Sequence, residues 1–455
     1  MCSFVLLKGM AQQAPPNKQS HNFSLQDCIN YAYEHADSVK NARLDITSAQ
    51  LKIKETIGQG YPQVDGTISF QDFLKTPTSV GPQFKSPPPN PSNPFDAANI
   101  DNTAPVQRFP FGALKYNNTF GIQASQLLFN GSFFVGLQAV KTYKELSIKS
   151  LTRSKISTNV NVTKAYYQVL VNNEQIKLLD ANIKQLKQSF NETSQQNKQG
   201  FVEKIDVDRL EVQYNNLITT RDNVERSLTL VLAMLKFQMG MPLADDLTLT
   251  DKLEDVNFSQ NMAETSVDTT FYRNRIEYNL LETNKRLNEL DVKSKKAEFL
   301  PSIVAVGGFN EVFQENNFRY LYGHVYPNSF VGLNVKVPIF SGFQRKNQLK
   351  QAEIVVQKSQ NDLDNAREGL TLQGTAARVN FTNSLQSLNN QKRNQALANE
   401  VLRVSKIKYG QGVGSSLEVT QAQTALETAD NDYIKALYDA LINKVNLDQA
   451  YGRIK

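Results

Sequence analysis

Apolar positions along this chain recur with two different periods. Val64, Gly66, Ile68 and Phe70 alternate with Asp65, Thr67, Ser69 and Gln71, the period-two signature of a strand with one apolar and one wet face. Val331, Leu333, Val335 and Val337 alternate with Gly332, Asn334 and Lys336 in the same way. Phe120, Ile122 and Ala124 make a shorter case, and Ser302 to Asn310 is apolar on both faces. The pattern predicts strands at about 61–73, 117–129, 301–310 and 330–340. At about 9 to 11 residues each, such strands are long enough to cross a membrane at a tilt. Elsewhere the period is helical. Ile176, Leu179, Ile183, Leu186 and Phe190 follow a 3,4 spacing, as do Val207, Leu210, Tyr214 and Leu217, then Val224, Leu228 and Val231, with Arg221 in one skipped slot. This is the seam of a coiled coil. Nothing breaks the helix from Val140 to Lys198, on the order of 80 to 90 Å at about 1.5 Å per residue. A globular core has no use for that length, whereas coiled coils, fibres and tubes do. The first helix opens at Ser24, a serine cap with Asp27 three positions on.

The chain repeats itself. Gly121, Phe129 and Gly131 recur as Gly332, Phe340 and Gly342 at an offset of 211, and Gly200, Asp206 and Val207 as Gly412, Glu418 and Val419 at 212. A tandem duplication explains both. The second seam keeps register with smaller knobs: Val419, Ala422, Leu426, Ala429, Tyr433, Ala436 and Ala440. Pro62 and Pro301 match at an offset of 239, so the first copy carries 28 extra residues between its strands. They fall in Lys75 to Tyr116, which holds nine of the sixteen prolines and is expected to be a long exposed loop without regular pairing. The expected organisation is a tail at 1–22, a first repeat at 23–240 with its hairpin tip near 200, a connection at 241–270 containing Pro242 and several acids, and a second repeat at 271–455 with its tip near 412.

Composition narrows the function. The chain has 455 residues but no Trp, three His and two Cys. Cys2 and Cys28 form no metal-ligand spacing and no disulfide framework. No stretch approaches the roughly 18 apolar residues of a spanning helix. The charge of +6 comes from 50 basic and 44 acidic residues mixed along the chain, without the basic patch of a nucleic-acid binder. Cys2 to Gln12 is a short apolar run ending in small residues, like the end of a secretory signal, with the mature chain expected to begin near Gln12. Four membrane strands in one chain would leave two edges open in lipid, where each unpaired backbone group costs several kcal/mol. The chain is therefore expected to oligomerise; two copies would give eight strands and three would give twelve, and spacing alone does not choose.

From Phe23-Ser-Leu-Gln-Asp-Cys-Ile-Asn-Tyr-Ala to Leu447-Asp-Gln-Ala-Tyr-Gly452 the chain resembles the TolC-like outer-membrane efflux family. The matching motifs are Tyr61-Pro62-Gln63, Gln126-Leu-Leu-Phe-Asn-Gly131, Val337-Pro-Ile-Phe-Ser-Gly342, and the two glycine turns with their following acids. The resemblance implies an α+β membrane protein: a long antiparallel α-helical coiled-coil barrel plus four β-strands per chain contributing to a trimeric 12-stranded outer-membrane β-barrel. It implies passive conduction for an efflux or type I secretion system, with a periplasmic adaptor and an inner-membrane pump of RND, ABC or MFS type as partners. It also implies periplasmic docking tips at Gly200, Phe201, Val202 and at Gly412, Val413, Gly414, with extracellular loops at Lys75 to Tyr116 and Glu311 to Pro327. A gate is implied in which Asp206 bonds Tyr409 and Glu418 faces the channel axis. Three departures stand out: Arg275-Ile276 lacks the usual proline after the arginine, Gly414 stands where an arginine is common, and Gln421 replaces a second acid ring. The lock should be weaker and the ring single.

Plainer readings compete. Gly410-Gln-Gly412-Val-Gly414 joins two helices and does not follow a strand, so a hairpin turn outweighs a phosphate loop. His21, His35 and His324 have no nucleophile or carboxylate pair in a recognisable motif beside them, so no catalytic residue, cofactor or metal is expected. An acid just after a turn is often only a favourable charge at a helix start. The competing class is a periplasmic coiled-coil structural or adaptor protein, which would share the hairpins but lack amphipathic strands.

Overall fold

The computed structural model describes residues 20–76, 79–93, 96–105, 107–109, 114–253 and 270–454. The expected signal remnant, Cys2 included, lies outside these residues apart from Ser20–Asn22, as does most of the connecting segment beyond 253. In chain order the elements are β1 (Ser20–Phe23), α1 (Leu25–His35), α2 (Asp37–Gly58), β2 (Gln63–Asp72), β3 (Ser79–Gly81), β4 (Gln83–Phe84), β5 (Ile100–Asp101), β6 (Gln107–Phe109), β7 (Tyr116–Phe129), α3 (Gly131–Lys198), α4 (Lys204–Met239), β8 (Asp246–Leu249), α5 (Ile276–Ala297), β9 (Ser302–Glu315), β10 (Tyr326–Lys336), α6 (Gln344–Gly410) and α7 (Ser416–Ala450). They fall into two compact units: one takes residues up to 50, 142–288 and 355 to the end, the other 51–141 and 289–354.

The second unit is built on an antiparallel sheet in the order β10-β9-β7-β2. Its register lines up Val64, Ala124, Gly307 and Val331 across all four strands, so Ile68, Ile122, Phe309 and Leu333 share that face. Asp65, Thr67, Gln123, Asn310 and Asn328 lie on the other. The apolar face is bare: Val331 is 94% exposed and Ile68 76%. A soluble sheet would bury these residues against a second layer. β9 and β10 reach further into the expected Glu311–Pro327 loop than the alternation suggested, because Asn310 and Glu311 keep their places in the ladder. The connection that remains folds back, with Phe318 against Tyr116 and Phe70 at ring distances of 5.5 and 6.2 Å, and Leu321 buried.

The Lys75–Tyr116 segment corrects the expectation of a loop without pairing. β3 pairs with β6 and β4 with β5. Between them the buried Asn99 side chain donates to the carbonyls of Asn90 and Asn93, both at 2.8 Å, and accepts from the Asn90 N–H at 2.7 Å. Backbone groups that prolines leave without ladder partners are satisfied by this one amide.

In the helical unit the largest core joins α1, α3, α4 and α7 around Val162, Tyr166, Leu235, Met239 and Leu441. Ser24 caps α1 in a complete capping box with Asp27, and Asp251 accepts the Leu25 N–H at 2.9 Å. A parallel pairing of β1 with β8, absent from the sequence reading, ties the N-terminal segment to the segment that follows α4. Gly240 ends α4 at φ +70°, where a side chain would run into the His35 carbonyl. Arg275, the residue of the missing-proline departure, is buried and binds Glu277 at 2.9 Å at the start of α5.

Candidate functional site

The helical hairpins end in two turns of the same construction. In the first, the Gly200 N–H donates to the Asn197 carbonyl and the Phe201 N–H to the Gln196 carbonyl, both at 2.9 Å. In the second, Gly412 donates to Tyr409 and Val413 to Lys408, both at 3.0 Å. Both patterns are the paired bonds that close a helix on a left-handed residue, and the glycines sit at φ +80° and +74°. The following apolar residue points outward in each: Phe201 is 77% exposed and Val413 78%. Val202 is half-buried, its carbonyl accepting from the Asn197 side chain at 2.8 Å. The second turn is tighter, because Gly414 donates to the Lys408 carbonyl at 3.2 Å and a Cβ there would stand 3.0 Å from the Tyr409 nitrogen.

Asp206 and Glu418 occupy equivalent places, the third residue of α4 and of α7. Ser415 caps α7 by accepting the Glu418 N–H at 3.2 Å, whereas Glu203 leads α4 without a side-chain cap. Tyr409 leans on the small core of Leu402, Val419, Ala422 and Leu426. Its hydroxyl is buried without a hydrogen-bond partner, and burial, aided by the Asp206 charge, pushes the phenol's pKa up. The structure therefore brings Asp206 and Tyr409 into one neighbourhood without the expected bond, since Asp206 engages Arg209 on its own helix at 3.6 Å. Glu418 is exposed at the start of α7.

The seam above the first tip packs as its spacing required, with Leu179, Leu186, Leu210 and Leu217 buried and Ile183, Phe190, Tyr214 and Val224 against them. Sequence reasoning missed a polar layer beyond it. Asp430 of α7 is buried and accepts from Asn182 of α3 at 2.6 Å and from Gln395 of α6 at 2.8 Å. One turn earlier, burial and then the Asp430 charge raise the pKa of Glu427, against a hydrogen-bond contribution from Gln423. The available signal was that Asp430 has no cation at i±3 or i±4 of its helix. Among the described residues no group of three or more His, Cys, Asp or Glu is arranged to hold a metal.

A family model described as outer membrane efflux protein matches residues 28–235 and again 281–453. The outer membrane protein TolC of Vibrio cholerae is 22% identical over 341 residues, spanning 73% of this chain and 76% of its own. A probable efflux pump outer membrane protein of Pseudomonas putida, TtgC, is 24% identical over 74% of this chain and 69% of its own. Among solved structures, that of CusC, described by its transmembrane channel formation, superposes with a TM-score of 0.74 at 17% identity, covering 97% of this chain and 95% of that one.

Proposed function

The chain belongs to the outer membrane efflux protein family, and on that premise we propose that three copies join their four-stranded sheets edge to edge into one twelve-stranded barrel. The protein is an outer-membrane channel of the efflux and type I secretion kind, with its helical part in the periplasm. The observation that carries the trimer is the pair of free edges. Among the described residues β2 and β10 have one neighbour each, and they run in opposite directions, so β10 of one copy can pair antiparallel with β2 of the next. Eight strands would fill their lumen with side chains, whereas twelve leave an aqueous passage. The bare apolar face then meets lipid and the Asp65–Thr67–Asn310 face lines water.

The helices continue this passage through the periplasm, and the tips dock a periplasmic adaptor, which connects the channel to an inner-membrane pump of RND, ABC or MFS type. Phe201 and Val413 favour this reading, since they are exposed apolar residues that follow Gly200 and Gly412, each with open space around it. Asp206, Tyr409 and Glu418 form the gate, with Asp206 exchanging Arg209 for Tyr409 in the closed assembly. A periplasmic adaptor or purely structural coiled coil would leave the apolar sheet face and both edges without a use. Bifunctional thiol crosslinking between Ser69→Cys on β2 and Asn328→Cys on β10 tests the barrel: a covalent three-chain species is expected, and only monomer or dimer would refute it.

A further inference from the structure

The apolar face of the sheet changes character toward the end away from the α2–β2 and α5–β9 joints. Past Ile122 and Phe309, the next row on that face brings its first charge, Glu311. The row after it holds Phe70, Asn118 and Phe313, and the last sets Tyr116 between Asp72 and Glu315. The connection from β9 to β10 folds back over these rows, on the apolar side of the sheet and not on the polar one. Besides Phe318 on Tyr116 and Phe70, Tyr322 packs on Phe313 at a ring distance of 5.3 Å, and its hydroxyl accepts from the Asn118 side chain at 2.8 Å. At its start the Asn316 side chain accepts the Lys115 N–H at 3.1 Å. Asn118, a polar side chain on the apolar side, is thereby buried, and rings are turned outward in its place: Phe318 is 57% exposed and Tyr320 60%, with Arg319 between them.

Lengths place this end with respect to a bilayer. β9 has 14 residues; at about 3.3 Å each and a tilt of about 40° it rises about 35 Å, about 10 Å more than the roughly 25 Å apolar band of an outer-membrane barrel. Its last residues therefore outrun the hydrocarbon and enter the headgroup layer, about 5 to 8 Å deep on each side. The composition agrees. Rings with a polar edge, mixed with charges of both signs, mark a membrane–water boundary. Hydrocarbon would reject Glu311, Asp72 and Arg319, and bulk water would not favour open rings spread along the apolar side.

We propose that the connection between β9 and β10 is a membrane-seated strap and not a free extracellular loop: given the sheet's proposed place in the outer membrane, on which this rests, Phe318, Tyr320 and Tyr322 sit among the lipid headgroups of the outer leaflet and fix the depth of the barrel. The Tyr322 hydroxyl, having accepted from Asn118, keeps its own proton to donate to a headgroup oxygen.

The chain contains no Trp, so a single introduced indole reports its own surroundings. The full chain carrying Phe318→Trp or Val331→Trp is assembled in phosphatidylcholine vesicles, and its fluorescence is quenched by phosphatidylcholine spin-labelled either at the headgroup or at the end of an acyl chain. The two positions differ in depth by about 15 Å on the strand geometry, so Phe318→Trp is expected to be quenched at least about twofold more strongly by the headgroup label, and Val331→Trp by the chain-end label. Quenching of Phe318→Trp by aqueous iodide but by neither lipid label puts the connection in water and overturns the strap. Equal or stronger quenching by the chain-end label puts it in hydrocarbon and overturns it too. If Phe318→Trp does not assemble, Tyr320→Trp is judged by the same criteria. Val331→Trp tests the sheet by itself: if the chain-end label fails to quench it, the membrane placement falls and the strap with it, whereas quenching there and not at Phe318 sinks the strap alone.

Discussion

Asp206 and Glu418 each admit two readings, a charge at a helix start and a part of the proposed gate. Each is third in its helix, where a carboxylate gains from the unpaired N–H groups and the helix dipole. That gain explains an acid at each site but not the orphaned Tyr409 hydroxyl beside Asp206, a group that costs about 1–3 kcal/mol while unsatisfied. A closed gate in which Asp206 accepts a hydrogen bond from the Tyr409 hydroxyl removes the cost. Tyr409→Phe with Asp206→Ala is therefore expected to raise single-channel conductance in planar bilayers, and Glu418→Ala to abolish block by multivalent cations added on the periplasmic side. Unchanged conductance and block would leave both acids as helix-start charges. Glu427 gives a prediction in pH. Its pKa is raised in the folded chain, so the fold holds its proton more tightly than the unfolded chain does. Stability is then lost as pH rises from the ordinary glutamate value of 4.5 through the folded value, and the ionised group costs most above it. Glu427→Gln should raise the melting midpoint at pH 7 and lose that advantage below about pH 4.5; a constant difference across the range would contradict this assignment.

At the scale of elements, long-period features were legible and local polar ones were not. The seam from Leu179 to Leu217 was readable because every third or fourth residue is large and apolar over several turns, and those residues form a buried cluster. Leu217→Ala should destabilise the hairpin by about 2–5 kcal/mol, read as faster backbone hydrogen exchange in α3 and α4; exchange unchanged there would mean the seam does not hold them. The turns were readable because Gly200 and Gly412 meet left-handed backbone, where a β-branched residue is strained even in open space. Gly412→Val should abolish capture of the adaptor while the detergent-stable assembly persists. If the assembly is lost as well, the glycine serves only the fold. The β1–β8 pairing was illegible because four-residue strands 226 positions apart carry no period, and the same holds for the short pairs inside the proline-rich segment. The Asn182–Asp430–Gln395 layer was hidden for another reason: it joins three helices, and no window along one helix contains its partners.

At the scale of the whole molecule, the four-stranded sheet has two open edges in one chain. Its apolar face is bare, and its two edge strands each want a partner of opposite direction. Lipid satisfies the face but not the edges, because hydrocarbon offers no hydrogen bonds. Closure by copies of the same chain satisfies both, and the number of copies sets whether a lumen exists. The most direct test is the mass of the assembly extracted from outer membranes in mild detergent, measured by light scattering with the detergent contribution subtracted. Three chains, near three times the 51.2 kDa of one less any leader removed, are predicted, and a stable monomer or a dimer would contradict the account.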